Sequence, residues 1–124
     1  MHLAIAPGSD VAVFSGLLTH LAGANAVDRE YVARHTSGFS DAAKAARQLA
    51  LGDIARMTGL SRQALFEFYH LFTTTERVVT VYSQGVNQST AGTDKVNAII
   101  NCHLATGRIG RPGMGPFSVT GQPN

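Results

Sequence analysis

The 124 residues hold a single cysteine, Cys102, so no disulfide can form within the chain and a cysteine-rich metal site is excluded. Charge is sparse as well: 10 Lys and Arg stand against 8 Asp and Glu, for a net charge of +2 with histidine neutral. A tight nucleic-acid binder carries a stronger basic footprint than this. Only 15% of residues are charged while 44% are hydrophobic, which excludes intrinsic disorder. No run of 18 apolar residues occurs, so a transmembrane helix is excluded too. Tryptophan is absent and decides nothing. The length fits one domain, residues 1–124, burying roughly two-thirds of the surface its unfolded chain exposes.

After Met1 the chain enters an apolar run, His2-Leu3-Ala4-Ile5-Ala6, without the basic stretch and cleavage site of a secretory signal. It closes on the turn-forming Thr120-Gly121-Gln122-Pro123-Asn124. A start in a strand and a stop in a turn lead us to expect an internal piece of something larger.

Leu3–Ala6 reads as a short buried strand, broken by Pro7-Gly8-Ser9-Asp10, where Ser9 or Asp10 is placed to cap the next helix. That helix spans about Val11–Ala22, with Phe14, Leu17, Leu18 and Leu21 on one face. Asp28 caps a short helix to His35, residues 36–40 are loop, and Asp41–Leu49 is helical. Asp53–Thr58 is another helix, stopped by Gly59, and Ser61 caps one carrying Leu65, Phe66, Phe68, Tyr69 and Phe72. Then the period changes. Arg77–Ser83 is β-branched and nearly continuous in apolar character, the pattern of a strand covered on both faces. Gln84–Gly92 is polar loop. Thr93 or Asp94 caps a helix through Val96, Ile99, Ile100, His103 and Leu104 that Gly107 ends. From Gly107 onward five of the 13 glycines and three of the four prolines crowd together, leaving at most a short strand at Phe117–Thr120.

The order strand, helices, strand, helix predicts an α/β fold: a small open parallel sheet of two or three strands with helices packed on it, joined by a right-handed crossover. The strands Leu3–Ala6 and Val78–Tyr82 are expected to lie parallel, bringing the loops Gly8-Ser9-Asp10 and Gln84–Gln88 to one sheet edge. Ligands of open parallel sheets bind at that carboxyl edge. Ordinary turns are the plainer explanation of both loops.

Other motifs weigh less. Asp53–Leu65 resembles a helix-turn-helix DNA-binding motif, and residues 53–70 of a DNA-binding regulator are the alternative of another class. Against it, the recognition helix offers bases only Arg62 and Gln63, adds the phosphate-repelling Glu67, and is otherwise made for a core. His2, His20, His35, His70 and His103 show no metal-ligand spacing, and His103 reads as a packing histidine. Cys102, mid-helix among small residues, reads as buried and structural. Arg108 and Arg111 read as solvated surface residues, with phosphate contact as the sharper possibility. Gly113-Met114-Gly115 lacks the preceding strand and following helix of a dinucleotide fingerprint.

The last 48 residues carry a stronger signal. They contain Tyr82-Ser83-Gln84-Gly85-Val86-Asn87-Gln88, Gly92–Asn101, His103-Leu104-Ala105-Thr106-Gly107-Arg108-Ile109-Gly110, Pro112–Ser118 and Thr120–Asn124 in succession. This resembles the molybdopterin oxidoreductases of the dimethyl sulfoxide reductase superfamily and, within it, the catalytic subunits of bacterial assimilatory nitrate reductases. The Gly-Pro-Phe-Ser-x-Thr-Gly-Gln-Pro ending is similar to nitrate reductases and differs from formate dehydrogenases, the alternative of the same class. Leu3–Val13 fits as well, and residues 25–75 fit loosely.

The resemblance implies a Rossmann-like part of a molybdopterin domain and a bis-molybdopterin guanine dinucleotide cofactor with molybdenum. It also implies an iron-sulfur cluster bound outside this stretch, with the cluster and molybdenum cysteines upstream of Met1. Reduction of nitrate to nitrite is the implied reaction. The implied partners are the rest of the enzyme and an electron-donor protein or domain, with no nucleic acid and no membrane. Cys102 matches none of the implied ligands, and no residue here is implied to be catalytic. Ala91 stands where periplasmic nitrate reductases tend to carry arginine, which favours the cytoplasmic assimilatory branch.

By the same likeness Gly8, Ser9, Asp10, Gln84 and Gln88 are the cofactor-binding candidates. Guanine presents two parallel N–H donors that one carboxylate, such as that of Asp10, accepts together. Gly8 permits close backbone approach, Ser9 adds a hydroxyl and an N–H, and the two glutamine amides suit the mixed edge of a pterin. The isolated 124-residue chain is expected not to reduce nitrate. Nitrite formed by pure, metal-free chain with a reduced viologen dye would refute this.

Overall fold

The computed structural model describes residues 1–119. Seven helices and two strands follow one another: α1 (Asp10–Gly23), α2 (Arg29–His35), α3 (Phe39–Ala46), α4 (Leu51–Thr58), α5 (Arg62–Thr74), β1 (Val79–Tyr82), α6 (Gln84–Asn87), α7 (Gly92–Ala105) and β2 (Gly115–Ser118). The two strands pair in parallel, Val79 opposite Gly115 and Tyr82 opposite Ser118, with α6 and α7 as the crossover between them. The small open α/β architecture is therefore as expected, but it is assembled differently.

The strand expected at Leu3–Ala6 is not one. The segment is irregular: the Ala6 N–H donates to the Thr58 carbonyl, 2.9 Å away at the end of α4, and the Ala6 carbonyl accepts the Ser9 N–H at 3.2 Å. A strand needs a ladder of partners. Here Ala4 and Ala6 are exposed, and the place beside β1 is taken by β2. The expected strand at Phe117–Thr120 lies at Gly115–Ser118 instead, and Thr120–Asn124 falls outside the described residues. The expected loop at Gln84–Gly92 contains the short helix α6. Helix α3 begins two residues earlier than read, at Phe39.

The β1 ladder departs from expectation in a second way. Val79 and Val81 are 49% and 62% exposed, Phe117 beside Val81 on β2 is 60% exposed, and Val119, just past β2, is 41% exposed. Among the described residues the sheet is covered on one side only, by α7.

Helix α1 is the hub, touching α3, α4, α5 and α7. Its Leu17 and Leu21 are fully buried among Ile54, Leu65, Tyr69, Phe72, Cys102 and Ala105. Several stop and start signals act as read. Asp28 accepts the Tyr31 N–H at 2.9 Å, and Ser61 accepts the Ala64 N–H at 3.1 Å. Gly59 ends α4 with φ of +77°, where a side chain would be strained. Others do not act as read: Ser9 precedes α1 without a side-chain cap and Asp10 lies inside it, and Thr93 and Asp94 lie inside α7.

His103 is buried under the sheet with its ring edge toward Phe72, and its Nε2 lies 2.7 Å from Thr80 Oγ1. Burial, reinforced by the Arg108 charge, lowers its pKa from 6.5 to about 4. The unfolded chain therefore takes up a proton that the native chain resists. Stability is expected to be complete above pH 6.5 and to fall progressively as the pH drops toward 4. Thermal melting of the chain across that range checks this. His103→Gln should flatten the dependence, and an unchanged slope in that variant would assign the effect elsewhere.

Candidate functional site

The candidate residues sit where α1 begins and where β1 ends. Gly8 takes a φ of +84°, and a Cβ there would meet nothing within 4 Å, so its backbone faces open space. Ser9 is buried and turned inward. Its hydroxyl donates to the Ala6 carbonyl at 2.6 Å, and its N–H donates to the same oxygen at 3.2 Å. The first helical bond of α1 runs from the Val13 N–H to the Ser9 carbonyl. The N–H groups of Asp10, Val11 and Ala12 make no bond to described residues, leaving the positive end of α1 without an internal partner.

On the other side, β1 runs into Ser83, whose carbonyl accepts the N–H groups of Val86 and Asn87, each at 3.0 Å. This closes the single turn α6. Gln84 and Gln88 are both exposed. Asn87 Nδ2 donates to Ser118 Oγ at 2.9 Å, tying the turn to the carboxyl end of β2. Beneath the turn lies Gly92. A Cβ on Gly92 would stand 2.5 Å from the Asn87 carbonyl oxygen and 2.9 Å from that of Val86, so only glycine lets the turn settle this close.

One residue that sequence reasoning missed joins the two segments. Lys95, on the first turn of α7, is only 6% exposed. Its Nζ lies 3.0 Å from Asp10 Oδ2 and 3.4 Å from the Gly85 carbonyl oxygen. The chain thus brings Asp10 and the Gln84–Gln88 turn onto one ammonium group. The signal was present in the sequence. Gly92, Lys95, Ile99 and Cys102 fall at helical spacing on one stripe, and a lysine on an otherwise buried stripe demands a partner.

The arginines of the tail are placed differently from their reading. Arg108 is neither solvated nor open to phosphate. It is 5% exposed, donates to the carbonyls of Phe72 at 2.9 Å and Thr75 at 2.5 Å, and lies over the Phe72 ring. It caps the end of α5, whose last carbonyls have no helical partner. Arg111 is half-exposed and pairs with Asp28 at 3.5 Å.

These features fit a nucleotide-bearing cofactor. Asp10 spends one carboxylate oxygen on Lys95, and Oδ1 makes no bond to described residues. The adjacent helix end suits a phosphate, Gly8 leaves room for it, and Gln84 and Gln88 are exposed residues of the turn that Lys95 joins to Asp10. Ser9 contributes little, since both its donors are engaged with Ala6.

The profile of the Molybdopterin oxidoreductase family matches residues 1–122, and the chain belongs to that family. It is similar to a nitrate reductase of Shewanella frigidimarina, 52% identical over 126 residues and across 100% of this chain. A nitrate reductase of Klebsiella oxytoca is 48% identical across 99% of the chain, and a formate dehydrogenase alpha subunit of Methanocaldococcus jannaschii is 28% identical across 100%. The chain spans 13%, 14% and 18% of the length of these three proteins. Among the described residues no helix is long and apolar enough to cross a membrane.

Gly92→Ala forces a methyl group against the backbone of the α6 turn. It is expected to cost about 1–3 kcal/mol, typical of overpacking where the opposing atoms are backbone. Denaturant unfolding measures the loss, and hydrogen exchange should place it at residues 83–92. A neutral substitution would mean that the turn is not seated on Gly92.

Proposed function

We propose that this chain is part of a molybdenum-dependent nitrate reductase and that its residues 8–10 and 84–88 hold the nucleotide-bearing cofactor. The observation that carries the reaction is the likeness to two nitrate reductases at 52% and 48% identity over nearly the whole chain, against 28% for the formate dehydrogenase. The cofactor, in its bis-molybdopterin guanine dinucleotide form, supplies the two-electron chemistry that removes an oxygen atom from nitrate. An iron-sulfur cluster held elsewhere in the enzyme and an electron-donor protein or domain complete the electron supply. The cytoplasmic assimilatory branch is favoured by Ala91, where periplasmic enzymes tend to carry arginine.

The work of this chain is binding and orientation. The Asp10 carboxylate, held on one side by Lys95, accepts the paired N–H donors of guanine through Oδ1 and the second acceptor site of Oδ2. The helix end at Asp10–Ala12 faces the negative charge of the dinucleotide's phosphates. Gly8 lets the backbone approach, and the Gln84 and Gln88 amides donate to and accept from the polar edge of the pterin. No residue of this chain is assigned a proton or an electron in the reaction.

In the parent enzyme, Asp10→Ala should weaken cofactor binding by about 1.5–3 kcal/mol, the worth of a charge-assisted hydrogen bond. Molybdenum content after desalting and nitrate-dependent oxidation of a reduced dye should fall together. Full molybdenum content in the variant would leave Asp10 as a structural partner of Lys95 only. Formate oxidation without nitrate reduction by the unaltered enzyme would overturn the choice of reaction.

A further inference from the structure

We propose that Lys95 is a positioning residue that fixes the two cofactor segments relative to each other before the cofactor binds. The inference rests on the reading that residues 8–10 and 84–88 bind the cofactor, and it assigns the organisation of that site to a side chain that touches none of the ligand.

The argument begins with cost. Lys95 shares the inner stripe of α7 with Ile99 and Cys102 and is 6% exposed. A methionine would fill that position without losing hydration, whereas a buried ammonium is unfavourable unless its charge is met. It is met by Asp10 Oδ2 at 3.0 Å and by the Gly85 carbonyl at 3.4 Å. The other ion pairs among the described residues, Glu30–Arg34, Asp53–Arg56 and Asp28–Arg111, have cations that are 70%, 78% and 52% exposed. Lys95–Asp10 is the one whose cation is withdrawn from water.

Neither segment is held by its own local structure alone. Helix α1 starts without a side-chain cap, and α6 is a single turn of four residues. Lys95 cross-links them, since one of its contacts is on α1 and the other is on α6. With Oδ2 engaged, rotation of the Asp10 carboxylate is restricted and Oδ1 keeps one direction. With the Gly85 carbonyl engaged, the turn carrying Gln84 and Gln88 keeps its distance from α1. A site fixed in advance spends less binding energy on ordering its own parts.

The test uses the parent enzyme with four variants: Lys95→Met, Lys95→Arg, Asp10→Asn and the double variant Asp10→Asn with Lys95→Met. Two quantities are read, molybdenum retained per protein after dilution and desalting, and the melting temperature of the cofactor-free enzyme. Lys95→Met should lower retention about tenfold, the scale of one charge-assisted hydrogen bond, while the cofactor-free melting temperature holds or rises. Lys95→Arg, which keeps charge and donors, should retain more than Lys95→Met. The double variant should lose less than the product of the two single losses, because part of what Lys95 does passes through Asp10.

The proposal is overturned if Lys95→Met retains cofactor as the unaltered enzyme does, if it retains as much as Lys95→Arg, or if the two losses multiply in the double variant. Should Lys95→Met yield no soluble enzyme, Lys95→Arg decides: retention above that of Asp10→Asn supports the proposal, and retention no better overturns it. Full retention in Asp10→Asn removes Asp10 from the cofactor site, as in the Asp10→Ala test, and overturns this inference with it. Loss in Asp10→Asn without loss in Lys95→Met overturns this inference alone.

Discussion

Helix α1 is gripped from both sides through its own backbone, and both the fold and the candidate site depend on that grip. The Tyr69 hydroxyl of α5 donates to the Val13 carbonyl at 2.9 Å, and the Cys102 thiol of α7 donates to the Phe14 carbonyl at 3.2 Å. Adjacent carbonyls on one helix thus each take a second bond, from different neighbours. Gly16 makes the first possible, since any side chain there would strike the Tyr69 ring system and Ile54. Burial raises the pKa of both the Tyr69 hydroxyl and the Cys102 thiol, so both stay protonated and keep donating. With its axis fixed this way, α1 delivers Asp10, one turn before Val13, to Lys95.

The helical half of the fold was legible because its signals are local. Asp28 and Ser61 as caps, Gly59 as a stop, and the Leu17–Leu21 stripe each act within a turn or two of where they stand in the chain. The sheet was less legible because strand pairing is not local. Leu3–Ala6 has the composition of a strand but lies against the end of α4, while Gly115–Ser118, hidden in a Gly/Pro-rich tail, pairs with β1. Asp10 and the Gln84–Gln88 turn were expected to meet at a shared sheet edge. They do meet, but through a lysine on a third element. The pairing of Lys95 with a residue 85 positions away has no signature in the sequence beyond the oddity of a charge on an apolar stripe.

The tail and the α4–α5 pair show how context reassigns a motif. The helix-turn-helix likeness at residues 53–65 is real as geometry: two helices joined through Gly59–Ser61. Yet α5 turns Leu65, Tyr69 and Phe72 into the core, and its outward Gln63 amide is engaged with Glu67 at 3.0 Å. Arg108, read as a surface or phosphate-binding group, instead closes the end of α5 and stacks on Phe72. A guanidinium with five donors in a rigid plane serves a helix terminus as well as it serves an anion.

The uncovered sheet face gives the surface of this chain two different standards of tolerance. Val79, Val81, Phe117 and Val119 look like sites where any polar residue would be welcome, and in the chain alone a lysine at Val81 would cost little and improve solubility. Parallel sheets are built to be covered on both faces, and this chain makes up only 13–18% of its relatives. Where the longer protein covers this face, libraries screened on the short chain would reward substitutions at these four positions that the longer protein rejects, and variant effects measured in one context would carry the wrong sign in the other.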